Sequence, residues 1–267
     1  MKAKALISFV LALLATCSCS VKEPRAECPC WYTLKVESDA PMKVFFFDAA
    51  SGQCLSQATL SGEELSQGAH VSELPALDMI VCGVDAFAAG RGTSGCHAAA
   101  GSQFPRVSAF CTEVPAAPGG EEVLVEGTRC RQYATLWVSV DYADPAGPVV
   151  DKVVVRGLYD GFSLPRLESA EGGFFAELQP VSDGEWVAVI PRQGDGEGLA
   201  LECWRNGILV NTLMAGNILA EKGYDWTAPE LADIYLRIHF DSLTMDASVD
   251  AWDESELVLP LSPETRP

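Results

Sequence analysis

The chain has 267 residues, 48% of them hydrophobic and 21% charged, a balance that excludes wholesale disorder and leaves material for two cores of ordinary size. Its 18 Lys+Arg against 37 Asp+Glu give a net charge of -19, which repels phosphate backbones and argues against nucleic acid as a partner. The 23 Gly and 16 Pro scattered between apolar runs indicate frequent turns and favour β structure.

In chain order, the first element is an address. Lys2 and Lys4 precede an apolar run from Ala5 to Thr16, too short to span a bilayer and suited to a signal peptide, residues 1–18. Such a signal in a bacterial lipoprotein ends on small residues directly before the cysteine that takes the lipid. Cys19 follows small Ser18, whereas Cys17 follows the β-branched Thr16. Cys19 is therefore the expected lipidation site, with cleavage after Ser18 and Cys17 as the alternative. Acyl chains there would contribute about 0.8 kcal/mol per buried CH2 and hold the protein on a membrane. Removing one cysteine with the signal and lipidating the next leaves eight thiols, an even number that permits disulfides in an exported protein.

Residues 19–30 form the lipidated cysteine and its tether. Polar Ser20 to Glu27, with Pro24, span roughly 28 Å at most when extended. Cys28 and Cys30 flank Pro29 and are candidate structural thiols; the one-residue spacer suits neither a redox dithiol nor a zinc pair. From Tyr32, apolar Tyr32, Leu34 and Val36 alternate with Thr33, Lys35 and Glu37, the signature of a half-buried strand. MKVFFFD from Met42, LDMIVCGVDAF from Leu77 and EEVLVEG from Glu121 continue the series, while Ala88 to Phe104 has no period and reads as a long exposed loop.

A second series begins near Thr128. Leu136, Val138 and Val140 share one face of ATLWVSVD, and KVVVRGL, FFAEL, EWVAVI, LALECW, ILVNTL, IYLRIHF and ASVDAW follow at short spacing. Only ELSQGAHVSEL and NILAEKG carry a helical period. The expectation is an all-β chain of two sandwiches, residues 31–127 and 128–261, with a tail at 262–267.

Catalytic chemistry has no motif here, so no enzyme, metal or cofactor is expected. His70, His97 and His239 lack partners at ligand spacing; His97 beside Cys96 would supply only two of four metal ligands, and His239 alternates with Ile238 and Phe240 as an outward strand residue. DGEG at Asp195 to Gly198 reads as a hairpin turn rather than a calcium loop. Trp31, Trp137, Trp186, Trp204, Trp226 and Trp252 lie in apolar strands, where core burial is expected.

The run CSVKEPRAECPCWYTLKV, from Cys19 to Val36, resembles the start of the FimB-type minor fimbrial subunits, the anchor lipoproteins of type V fimbriae. Cys19, Lys22, Glu23, Arg25, Cys28, Pro29 and Cys30 fit that pattern, and the closing IYLRIHFDSLTMDASVDAW is similar to the family's carboxyl end. The resemblance favours Cys19 over Cys17. It implies two tandem transthyretin-like β-sandwiches on a surface-exposed, lipid-anchored protein of the cell outer membrane, fixing a fimbrium and limiting its length. Its expected partners are fimbrial shaft subunits, through donor-strand β-augmentation, and the outer-membrane lipid. The alternative is a surface glycan-binding lipoprotein of a polysaccharide-capture system, using exposed aromatic rings.

Overall fold

The structure is a computed structural model and describes residues 30–88, 94–117, 122–142, 149–239 and 244–250. The lipidation and cleavage positions Cys17, Ser18 and Cys19, as well as Cys28 and Trp252, lie outside the described residues. The chain is all-β, and no described helix is long and apolar enough to cross a membrane.

Its first strands are β1 (Cys30–Val36), β2 (Met42–Asp48) and β3 (Cys54–Leu60), followed by helix α1 (Gly62–Gln67). Then come β4 (Ala69–Leu74), β5 (Met79–Asp85), β6 (Gly95–His97), β7 (Ser108–Val114), β8 (Glu122–Gly127) and β9 (Cys130–Arg131). Two sheets form from these: β4-β1-β8, in which β1 runs antiparallel to β4 and parallel to β8, and the antiparallel β3-β2-β5-β7-β9. Between them lies one apolar core. Tyr32, Leu34 and Val36 of β1 meet Val44 and Phe46 of β2, Val81 of β5 and Phe110 of β7 there, so the alternation in β1 marks its inward face.

The run of phenylalanines in β2 breaks that alternation because its sheet is covered on both sides. Phe46 faces the core, while Phe45 and Phe47 pack with Ile80 and Cys82 on the opposite face, against Leu164 from the second half of the chain.

That second half carries β10 (Tyr133–Asp141), β11 (Lys152–Ser163), β12 (Glu168–Glu177), β13 (Gln179–Ser182) and β14 (Glu185–Pro191). It continues with β15 (Ala200–Arg205), β16 (Ile208–Leu213), helix α2 (Ala215–Glu221), β17 (Asp233–His239) and β18 (Thr244–Asp250). The sheets are β13-β14-β10-β17-β18 and β12-β11-β15-β16. Leu136, Val138, Ile190, Ile234 and Leu236 from the first share a core with Val153, Val155, Phe174, Leu201 and Cys203 from the second.

Two expectations need correction. The segment from Ala88 to Phe104 is not simply an exposed loop: β6 pairs with Gly161–Ser163 of β11, and Cys96, Phe104 and Val107 are buried with Val84 and Phe162 in a cluster that joins the two halves. Its small residues conceal this because Gly95 and Gly161 permit close backbone approach; a Cβ at Gly161 would lie 1.9 Å from the Cys96 carbonyl oxygen. Asp195 to Gly198 is a turn, but it links β14 in one sheet to β15 in the other rather than closing a hairpin.

Candidate functional site

The edge between β7 and β8 is concave. Among the described residues, β8 is bonded to β1 on one side and is the outer strand of its sheet. β7 is bonded to β5 along its length, whereas on its outer side β9 pairs only with Ser108 and Ala109. The two strands approach where Thr112 Oγ1 donates to the Glu126 carbonyl at 3.1 Å and the Phe110 ring packs on Gly127. Beyond that point lies a cavity of about 400 Å³ between Thr112–Ala117 and Glu122–Glu126.

Side chains in β8 record the opening. Val123 and Val125 pair with Tyr32 and Leu34 of β1 and share their inward face, yet Val125 is buried and Val123 only half-buried. A sandwich closed at this edge would bury both. Leu124 on the outward face is 59% exposed. An edge strand with apolar neighbours presents backbone donors and acceptors beside side-chain pockets, which is what an added strand needs. Glu113, Glu122 and Glu126 give the rim a negative charge. β16 is another apolar edge, with Ile208 69% exposed and Leu209 and Val210 also exposed.

The other residues marked in the sequence fall into separate settings. Cys30 is buried at the start of β1, its Sγ 3.9 Å from the Ala117 carbonyl oxygen. His70 Nδ1 lies 3.0 Å from Thr33 Oγ1, and His97 Nδ1 lies 2.9 Å from Asp160 Oδ1. His239 stands on the outward face, 3.6 Å from Asp141 Oδ2. The structure does not bring the histidines together.

Among the tryptophans, Trp186 and Trp226 are core residues. Trp31 is not: it is 48% exposed on the outward face of β1, where the strand parity that buries Tyr32 must turn its neighbour out. Trp204 and Trp137 are half-buried. Trp137 lies beside Tyr235 on the outward face of β10 and β17, with ring planes 5° apart and centroids 6.3 Å apart, a pair sequence parity places on one face but only the parallel register of these strands makes adjacent.

The arrangement defines a class: an all-β protein of paired sheets with an open β8 edge and no described cluster of metal-ligating side chains. No family model matches the chain. No curated protein matches it in sequence. Solved structures do. A candidate polysaccharide-binding protein of Bacteroides thetaiotaomicron is similar at a TM-score of 0.60 and 10% identity, over 85% of this chain and 99% of that one. A candidate adhesin of Bacteroides ovatus is similar at 0.59 and 12% identity, over 87% and 96%. The fimbrial anchor protein Mfa2 of Porphyromonas gingivalis is similar at 0.54 and 13% identity, over 84% and 98%. At these identities the likeness is one of fold.

Proposed function

We propose that the chain is a fimbrial adhesion protein of the cell surface, a minor subunit of the FimB type that anchors a fimbrium to the outer membrane and limits its length. The observation that carries the reading is the open edge between β7 and β8 in a fold similar to that of a fimbrial anchor protein. A strand donated by a neighbouring shaft subunit would extend the β8 edge with backbone hydrogen bonds, its alternate apolar side chains entering the space beside Val123. The acidic rim favours a donor with basic flanking residues. Cys19, freed by cleavage after Ser18, would carry the lipid that holds the base, Cys17 being the alternative; residues 31–127 and 128–261 would be the two sandwich domains. No catalytic step is assigned. Changing Cys19→Ala tests the anchor: fimbriae should be shed into the medium or altered in length, and unchanged cell-bound fimbriae would count against it.

A second reading has its own observation. The near-parallel Trp137 and Tyr235 rings lie on an outward face that also carries Arg237, Asp141 and His239, a pairing of apolar rings with polar groups suited to a sugar. The candidate polysaccharide-binding protein of similar fold supports considering it. Retardation in polysaccharide-containing gels, abolished by Trp137→Ala, would favour glycan capture; unretarded migration would remove this reading.

A further inference from the structure

Cys82 of β5 and Cys111 of β7 are directly opposite each other in an antiparallel ladder. Both thiols donate to one acceptor, the Pro165 carbonyl oxygen, at 2.5 and 3.1 Å, so the two sulfurs converge on the same point beneath the second half of the chain. Opposed residues in antiparallel strands have Cα atoms about 4.5 or 5.5 Å apart, and both spacings fall within the roughly 4.4–6.8 Å that a disulfide accepts. The backbone spacing therefore suits a bridge.

The other described cysteines are placed less well for either thiol. Cys130 is opposite Ala109, which makes it a diagonal neighbour of Cys111 at about 7–8 Å. Cys54 is opposite Phe47 on β2, with that strand between it and β5, a separation of roughly 10 Å. Cys30, Cys96 and Cys203 belong to three other buried clusters.

We propose that Cys82 and Cys111 close a cross-strand disulfide, formed by exchange with a disulfide-bearing oxidant such as a thiol oxidoreductase. Cys111 is the more exposed of the two, so it is the attacking thiol. Its thiolate attacks one sulfur of the oxidant's disulfide and expels the other as a thiolate. The Cys82 thiolate then attacks the Cys111 sulfur and expels the oxidant's second thiolate. Two protons leave the protein, two electrons pass to the oxidant, and the oxidant ends as a dithiol. Cys111 directly precedes Thr112 at the cavity between β7 and β8, so the bond would fix that wall to β5.

The test uses the reduced full chain and oxidised glutathione, followed by acid quench, unfolding and alkylation with N-ethylmaleimide. Digestion after Glu73 and Arg106 separates Cys82 from Cys54 and Cys111 from Cys96 for peptide mass mapping. The expected main product is one linked pair joining Cys82 to Cys111, two hydrogens lighter than the reduced form, and lost in Cys111→Ser with Cys82 then alkylated. The wild-type map stands even if the variant fails to fold. Alkylation of both thiols in the oxidised wild type, or a main product linking either one elsewhere, would overturn the proposal.

Discussion

Arg131 of β9 and Asp233 of β17 form a buried ion pair, Nη2 to Oδ1 at 2.5 Å, that ties the sheet of β9 to the sheet of β10 and β17. Asp233 Oδ1 also accepts the Thr135 backbone N–H at 3.1 Å, and Arg131 donates to the Leu231 carbonyl at 2.9 Å. Each charge has left water and depends on the other for compensation. Asp233→Asn should lower unfolding stability by about 3–5 kcal/mol, because it strands a buried guanidinium. Urea unfolding monitored by tryptophan fluorescence measures the change; a loss below about 1 kcal/mol would mean the pair is dispensable.

Phe110 is held between two glycines. A Cβ at Gly83 would lie 2.1 Å from its Cε1, and one at Gly127 would lie 2.6 Å from its Cδ2. The ring therefore occupies the space where side chains of β5 and β8 would stand. Gly83→Ala should cost about 1–3 kcal/mol by forcing the ring out of its position. Thermal unfolding should show a correspondingly lower midpoint, and an unchanged midpoint would contradict this packing.

Glu64 closes a capping box on α1: Ser61 N–H and Oγ donate to its Oε2 at 2.8 and 2.7 Å, while its own N–H donates to Ser61 Oγ at 3.2 Å. The backbone hydrogen bond from Ser61, followed by the hydroxyl, lowers the Glu64 pKa below its usual value of 4.5. A depressed carboxylate pKa contributes stability above the unfolded value and loses it as pH falls through the folded one. Glu64→Gln should therefore flatten the acid limb of the stability profile below about pH 4.5. Measured denaturation midpoints from neutral to acid pH should converge for the two proteins at the acid end.

Much of the fold is legible where one strand face meets one core. Tyr32, Leu34 and Val36, like Leu136, Val138 and Val140, alternate because their opposite faces remain outward. Where contacts come from distant sequence, pattern fails. Phe45 and Phe47 are buried by a turn more than a hundred residues later, and β6 hides in small residues because its partner is β11. The open edge is legible only in part: EEVLVEG announces a strand, but whether that strand has a neighbour depends on β7 and β9, whose register is set elsewhere. Trp31 shows the opposite case, an aromatic residue expected in the core because its strand is apolar, although strand parity already placed it opposite Tyr32.

Under the proposed function, the β8 edge accepts a strand from another fimbrial subunit. A photo-crosslinking phenylalanine analogue placed at exposed Leu124 tests it on cells bearing fimbriae. The expected result is a single ultraviolet-dependent adduct with a shaft subunit, its attachment mapping to an apolar, alternating segment. Intact, cell-bound fimbriae containing this protein but giving no such adduct would contradict the claim.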